Sequence, residues 1–353
     1  MNLMEIMRSE GHEQVVFCNE PVSGLRAIIA IHDTTLGPAL GGCRMWPYRS
    51  LDDAVTDALR LSRGMTYKNS AMGLSLGGGK AVIIGDSRKD KTEELFRAFG
   101  KFVHSLGGRY YTAEDVGISP TDMGFVRLET PYVAGLAETS GDPSPVTAYG
   151  VFVGMKAATK LVLGTRSLKG LHVAIQGLGH VGYYLAKHLK EEGARLSVSD
   201  IYDDRLRIAK DEFGADIVPP EQIHKLDCDI YSPCALGAVL NDTTIPEIRA
   251  KIVAGAANNQ LAEPRHGEML AKLGILYAPD FVINGGGVVN CAQEFHPAGY
   301  NRERAFSIAA TIEQKLLDIF SVSAIQHIPT HKAAETLAEE RIAKLARLKK
   351  MHL

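Results

Sequence analysis

Two lysines and an aspartate hold the chemistry this sequence can do. Lys68 and Lys80 stand twelve residues apart in otherwise apolar, glycine-rich surroundings, and Asp115 follows in "TAEDVG". A single lysine is far more often an exposed charge than a reagent. Two together point to anion binding combined with base catalysis. One ammonium would hold a carboxylate; the other, desolvated and repelled by its neighbour, is expected to have its pKa drawn toward the working pH. Lys80 closes the run "LGGGK", which invites comparison with a phosphate loop. That comparison fails: the loop needs a glycine five residues before Gly79 and a Ser or Thr after the lysine, and the chain has Leu74 and Ala81 there. The glycines are expected instead to let a substrate come close to Lys80.

A second constellation follows the apolar run "LHVAIQ". Gly177, Gly179 and Gly182 form G-x-G-x-x-G, with Leu178, His180 and Val181 between them, at the opening of a helix pattern. "RLSVSD" then places Asp200 at the end of the next strand, twenty-three residues after Gly177. In that context the glycines read as a dinucleotide fingerprint. Gly177 permits the tight turn, Gly179 lets backbone approach a pyrophosphate, and Gly182 lets helix and strand pack closely. The helix N-terminus offers unpaired N–H donors to the phosphates. Asp200 would accept hydrogen bonds from ribose hydroxyls and repel a 2′-phosphate. Ile201 and Tyr202 after it are not basic, so NAD is expected rather than NADP.

The elements that must position these groups fall into two regions, and 353 residues are enough for two domains. Up to about residue 135 strands and helices mix. "LRAIIAIHD" (25–33) reads as a strand, Ser50 as the cap of a helix with Asp52 and Asp53 in its first turn and Val55, Leu59 and Met65 facing inward. Lys68 falls near that helix's end, and a strand through Ile84 follows Lys80. A helix is expected over 92–106. "SGDPSPVTAYG" (140–150) reads as the linker and hinge. A helix from Thr147 to about Leu163 follows, then strands in "LHVAIQ", "RLSVSD", "DIYSPC", "KIVAGAA" and "ILYAPDFVIN" alternate with helices, the pattern of a doubly wound parallel sheet. From about residue 303 the chain reads as helical. The division expected is 1–140 for an α/β substrate domain, 141–326 for a Rossmann-type NAD domain, and a helix over 327–353 packing back on the first.

Composition narrows the function classes. A net charge of −2 leaves no electrostatic footprint for nucleic acid, and Lys344, Arg347, Lys349 and Lys350 read as a solvated helix face. No run approaches the roughly 18 continuous apolar residues of a membrane span, and "MNLMEIMRSE" lacks a signal-peptide core. Five scattered cysteines, an odd number, suggest reduced thiols and a cytoplasmic protein. No H-E-x-x-H or Cys/His cluster occurs at ligand spacing, so no metal is expected.

"HDTTLGPALGG", "LRLSRGMTYKNSAMGLSLGGGKAVIIGD", "YYTAEDVG", "GDPSPVTAYGV", "IYSPCALGAVLND", "AGAANNQL", "YAPDFVINGGGVVN" and "YNRERA" closely resemble the leucine dehydrogenases, within the glutamate/leucine/phenylalanine/valine dehydrogenase superfamily. The resemblance runs from about residue 10 to 310 and weakens in the last fifty. It implies an NAD-dependent, reversible oxidative deamination of branched-chain L-amino acids to 2-oxo acids and ammonia, in a cleft between two domains that close. Lys80 matches the lysine that activates the attacking water, Lys68 the partner of the substrate α-carboxylate, and Asp115 the proton shuttle at the amino group. Thr147, Cys234, Ala235, Ala256 and Asn258 match positions around the cofactor. A homo-oligomer, octamer or dimer, is implied as well.

Substrate choice has its own argument. Glutamate enzymes of the superfamily read Lys-Gly-Gly-x-Arg-x-x-Pro, the lysine taking the side-chain carboxylate. Here the stretch is Leu40-Gly41-Gly42-Cys43-Arg44-Met45-Trp46-Pro47, and Cys291 stands where those enzymes place a serine. With Leu40, Met65, Ala113, Val288 and Cys291 the substrate pocket is expected to be apolar, so a γ-carboxylate would be buried unpaired at several kcal/mol. Three rivals remain: a phenylalanine or valine dehydrogenase on the same scaffold, a non-catalytic NAD-sensing protein, and a hydroxy-acid dehydrogenase, disfavoured because no suitable Arg–His pair stands in a corresponding motif.

Overall fold

The computed structural model describes residues 2–136 and 138–350. Two compact units divide them: 1–142 with 291–300 and 338–353, and 143–290 with 301–337.

The first unit is built on a mixed sheet. Strands β1 (Gln14–Glu20), β2 (Leu25–Asp33), β3 (Ala39–Leu40), β4 (Cys43–Trp46), β5 (Gly77–Ile84) and β6 (Tyr110–Tyr111) run in the order β1-β2-β5-β3-β6, with β4 also on β5. β2 pairs antiparallel with β1 and β5, whereas β3 and β4 run parallel to β5. Helices α1 (Leu3–Glu10) and α2 (Leu51–Ala71) cover one face, and α3 (Glu93–Ser105) and α4 (Pro120–Arg127) the other. That two-sided cover is why β2 is apolar without alternation: Ile28 and Ala30 pack with Val82, Val55 and Leu59, while Ala27, Ile29 and Ile31 pack with Ile83, Phe96 and Phe99. Lys80 shares the Val82 side of β5 by period-two alternation. The Ser50 cap is made, its side chain accepting from the Asp53 N–H at 3.1 Å; Val55 and Leu59 are buried as expected, and Met65 only half-buried.

The glycines before Lys80 have a packing use. A Cβ at Gly77 would lie 2.0 Å from the Asp33 carbonyl oxygen, at Gly78 2.1 Å from the Thr66 nitrogen on α2, and at Gly79 2.7 Å from the Tyr110 ring. The expectation that they open space for a substrate is therefore corrected: the protein's own backbone and core fill that space. Gly78→Ala is expected to cost about 2–3 kcal/mol, because helix and strand must part to admit the methyl. Gly64→Ala, at an exposed position of the same helix with nothing within 4 Å, is expected to stabilise by up to about 1 kcal/mol. Urea unfolding of both variants checks the opposite signs.

The second unit holds a wholly parallel sheet of β7 (His172–Gln176), β8 (Arg195–Ser199), β9 (Asp216–Ile217), β10 (Ile230–Pro233), β11 (Ile252–Val253) and β12 (Leu276–Tyr277), ordered β12-β11-β10-β7-β8-β9. Counted within the unit this is 6-5-4-1-2-3, the doubly wound dinucleotide order, whose switch point lies between the carboxyl ends of its first and fourth strands. Helices α5 (Ser144–Leu163), α6 (His180–Glu192), α7 (Asp203–Phe213), α8 (Arg265–Lys272), α9 (Asp280–Ile283), α10 (Gly286–Ala292), α11 (Arg302–Ala310), α12 (Ile312–Gln326) and α13 (Thr330–Lys350) complete the chain.

Several expectations are corrected. The supposed linker 140–150 is mostly helix, because Pro145 sits in the first turn of α5, where a missing N–H costs nothing. α5 is also long and apolar enough to cross a membrane by length and composition, its few polar residues notwithstanding, but most of it is buried, as in a core helix. "DFVIN" is helix α9 rather than strand, following Pro279. Residues 291–300 join the first unit: Glu294 Oε1 accepts from the Gly135 N–H at 2.9 Å and from the Ser140 hydroxyl, and Phe295 packs 4.4 Å from Tyr111. The C-terminal helix divides at Ala338 instead of joining the first unit whole from residue 327. Thr330 donates to the Tyr277 carbonyl at 2.6 Å, whereas beyond the break Ser70 donates to the Ala338 carbonyl at 2.9 Å and Arg341 to that of Leu74 at 2.9 Å. Residues 351–353 lie outside the described residues, as do the side chains of Lys349 and Lys350.

Candidate active site

Lys80 is 5% exposed, and its ammonium meets Asp115 Oδ2 at 2.7 Å. β5 supplies the lysine. The aspartate arrives just after β6, where Glu114 bridges to Cys43 of β4. Gly42 makes the approach possible, since a Cβ there would lie 2.5 Å from the Glu114 carbonyl oxygen and 3.0 Å from the Asp115 Cβ. Gly41 is needed for a similar reason: its Cβ would strike the Gly79 carbonyl at 1.8 Å and reach 3.2 Å from Met65. The partner of the Lys80 ammonium is thus a carboxylate, where the sequence pointed to a second cation. Lys68 sits half-buried on α2.

The same Asp115 oxygen accepts a second charge-assisted bond, from Arg44 Nε at 3.1 Å. Arg44 Nη1 reaches Asp57 Oδ2 at 3.0 Å, and the Tyr48 hydroxyl donates to that oxygen at 2.6 Å. Burial would push the Asp115 carboxyl up, but the Lys80 ammonium and then the Arg44 guanidinium overcome it and hold the carboxyl below the ordinary aspartate value. At neutral pH the group is a carboxylate, able to take a proton. Burial, then the hydrogen bond to Asp57, raises the Tyr48 phenol. Leu40 and Ala113, 1% and 7% exposed, are apolar neighbours in the same fold unit. Val288 and Cys291 stand three apart on α10, on one helix face. Burial pushes the Cys291 thiol up to about 12, so it is neutral and behaves as a small apolar group.

In the second unit the fingerprint glycines are used as their spacing implies. Gly177 has φ +101°, and a Cβ on it would meet Ala235 at 2.7 Å; one on Gly182 would lie 2.1 Å from the Gly177 carbonyl oxygen. At Gly179 nothing lies within 4 Å. α6 starts at His180 with no side-chain cap hydrogen bond at Gly179, and a helix N-terminus of this kind can face an anion. His180 is exposed and Val181 half-buried. Asp200 Oδ2 accepts from the Leu178 N–H at 2.6 Å and Oδ1 from the Tyr202 N–H at 3.0 Å; Ile201 beside it is 78% exposed. Thr147 donates to the Pro143 carbonyl at 2.9 Å, and Cys234 lies 3.4 Å from the Ser232 hydroxyl. Asn284 donates to the Ala256 carbonyl at 3.0 Å and to Asn258 Oδ1 at 2.8 Å. An open approach at Gly179, an uncapped helix start and an acid at the next strand end fit a dinucleotide.

One group among the described residues has metal-ligand spacing: Asp242, Glu263 and His266. Arg265 already takes both carboxylates, at 2.5 and 2.9 Å. His266 Nδ1 accepts from the Glu263 N–H at 2.9 Å, which leaves the ring proton on Nε2. The cluster is an ion-pair network centred on Arg265, with His266 Nε2 3.4 Å from Asp242 Oδ1 and without a hydrogen-bond partner of its own.

Residues 12–132 match the family model described as "Glu/Leu/Phe/Val dehydrogenase, dimerisation domain", and 140–204 with 201–350 match "Glutamate/Leucine/Phenylalanine/Valine dehydrogenase". The chain belongs to this family. A leucine dehydrogenase of Geobacillus stearothermophilus is 56% identical over 97% of this chain and 94% of its own length. An L-tryptophan dehydrogenase of Nostoc punctiforme is 49% identical over 99% and 98%; a crystal structure of the Nostoc enzyme superposes with a TM-score of 0.86, at 48% identity over 97% of this chain and 99% of that one. A phenylalanine dehydrogenase of Lysinibacillus sphaericus shares 49% over 94% and 88%. Family membership makes the chain an amino-acid dehydrogenase with the family's two-part fold.

Four positions near the expected site residues were not assigned from sequence: Arg44, Asp57, Tyr48 and Asn284. Arg44 lay inside a quoted motif, so its type was visible. Its partner Asp57 came from a different element, a pairing no local spacing reveals.

Proposed function

We propose that this chain catalyses the NAD-dependent, reversible oxidative deamination of branched-chain L-amino acids, leucine with valine and isoleucine, to 2-oxo acids and ammonia. The observation that carries the reaction is the buried Lys80–Asp115 pair; the apolar Leu40, 1% exposed, carries the substrate class. NAD, when bound, accepts the hydride from the substrate Cα. Gly177 to Gly182, Asp200, Thr147, Cys234, Ala235, Ala256 and Asn258 would hold it, Asp200 favouring the unphosphorylated ribose. Lys68 pairs with the α-carboxylate and so fixes the orientation of Cα. Asp115 accepts a proton from the substrate amino group. Lys80, in its neutral amine form, takes the proton of the water that attacks the imine carbon; that proton is returned to the carbinolamine nitrogen, and collapse to the 2-oxo acid releases ammonia. Gly41, Gly42, Met65, Val288 and Cys291 complete the substrate's surroundings. In this reading the first unit, which includes Cys291, carries the substrate residues other than Val288 and the second unit binds NAD, and the protein works as a cytoplasmic homo-oligomer, a dimer or octamer, consistent with the dimerisation description of its N-terminal match.

The test is NAD(P)H formation across L-leucine, L-valine, L-phenylalanine, L-tryptophan and L-glutamate at alkaline pH. Turnover with NAD and the branched substrates is expected. An aromatic preference would favour the scaffold's other specificity, which the 49% identity to tryptophan and phenylalanine enzymes brings into range. A glutamate preference would break the pocket argument. Silence on every substrate with NADH still bound would identify a sensor.

A further inference from the structure

We propose that Arg44 is the positioning residue of the Lys80–Asp115 dyad: it clamps Asp115 Oδ2 so that Oδ1 is presented for proton exchange, with Asp57 and Tyr48 anchoring the clamp. This rests on the reading of Asp115 as the proton acceptor at the substrate amino group. Lys80 and Arg44 both converge on Oδ2, at 2.7 and 3.1 Å, and Oδ1 accepts no hydrogen bond among the described residues. Two donors on one oxygen fix the carboxylate's plane and leave one basic oxygen uncommitted. Arg44 is itself held from behind, its Nη1 on Asp57 Oδ2 and the Tyr48 hydroxyl on that same oxygen. Three elements therefore determine one carboxylate: β4 carries Arg44, β5 carries Lys80, and α2 carries Asp57. A lysine in place of Arg44 would deliver charge to Asp115 or to Asp57 without the planar fork that reaches both.

The titratable groups that face Asp115 are Lys80, Arg44, Cys43, Tyr48 and Tyr110. Burial raises the two tyrosines and Cys43, keeping them neutral at working pH, so the charges that set the Asp115 titration are Lys80 and Arg44, with Asp57 behind them. Removing Arg44 takes a cation from Asp115 and must move its titration upward. Removing the Asp57 charge takes away an anion and must move it downward.

The experiment is the pH dependence of kcat/KM for Arg44→Met, Arg44→Lys and Asp57→Asn, with the Asp115 titration followed separately by NMR of 13C-carboxyl-labelled aspartate. Arg44→Met is expected to lower kcat by about 10²-fold, to change KM for the amino acid less than about threefold, and to shift the acid limb and the Asp115 titration up by about one unit. Arg44→Lys should return the acid limb toward its original place with kcat only partly restored. Asp57→Asn should shift the limb the other way. A kcat loss with unmoved limb and titration would reduce Arg44 to a structural role and overturn the proposal; so would equal activity of Arg44→Lys and the unaltered protein. Should Arg44→Met fail to fold, Asp57→Asn decides by the sign of its shift. The NMR titration needs no turnover: if it moves as expected in a protein inactive on every amino acid, the assigned function fails while the clamp stands.

Discussion

Replacing Lys80 by alanine is expected to lower kcat for leucine by about 10³-fold or more while NADH binds within twofold of its original affinity. The size follows from the role: a positioned acid–base group contributes on the order of 10²–10⁴, and here the same side chain also charges and orients Asp115 from 2.7 Å. Cofactor affinity is expected to survive because the loop from Gly177 to Gly182, Asp200 and the Asn258–Asn284 pair all belong to the second unit and are held by that unit's own bonds. The variant should also fold. Arg44 still compensates the Asp115 carboxylate, so no unpaired charge is left behind, which would be the destabilising outcome. Stopped-flow hydride transfer and NADH fluorescence titration together make the check. Turnover retained within tenfold would remove Lys80 from the chemistry. Lost turnover with lost NADH binding would mean a general collapse.

How much of this was legible in the sequence depends on the distance over which each feature is set. β2 is read at its observed bounds, Leu25–Asp33, because six of its nine residues are apolar and it ends at an aspartate whose side chain accepts from the Thr35 N–H. The cap at Ser50 and the fingerprint at Gly177 are likewise local. Errors arose where local signals conflict or tertiary contacts decide. "SGDPSPVTAYG" carries turn residues, yet Pro145 occupies the one helical turn that tolerates it. The glycines at 77–79 look like a substrate approach, but Thr66, Asp33 and Tyr110, from three other elements, occupy the space. Residues 291–300 were placed by continuity with the second domain, and a single carboxylate, Glu294, ties them to Gly135 and Ser140 of the first unit. The candidate site shows the same division. Lys80 and Asp115 are named from motifs, whereas the Arg44–Asp57 link spans thirteen residues, from a strand to the helix that follows it.

Leu40→Lys is the second large effect, and it tests the substrate reading alone. Leu40 is 1% exposed on β3, paired in register with Gly78 of β5 and Tyr111 of β6. An ammonium placed there is desolvated and meets an aliphatic substrate with no counter-charge, at a cost of several kcal/mol. The kcat/KM for leucine is expected to fall by about 10²–10³-fold. A γ-carboxylate would relieve that penalty, so glutamate turnover should rise from background, less efficiently than leucine in the unaltered chain because nothing else in the apolar surroundings is shaped for it. The pH dependence gives a sharper discrimination. Desolvation lowers a buried lysine's pKa; as pH rises through that lowered value the ammonium loses its proton, glutamate activity should fall, and leucine activity should recover. Opposite alkaline trends for the two substrates require the introduced charge to touch the substrate side chain. Parallel trends would mean that the substitution only loosens the fold, and no change in either substrate would place the side-chain pocket somewhere other than Leu40.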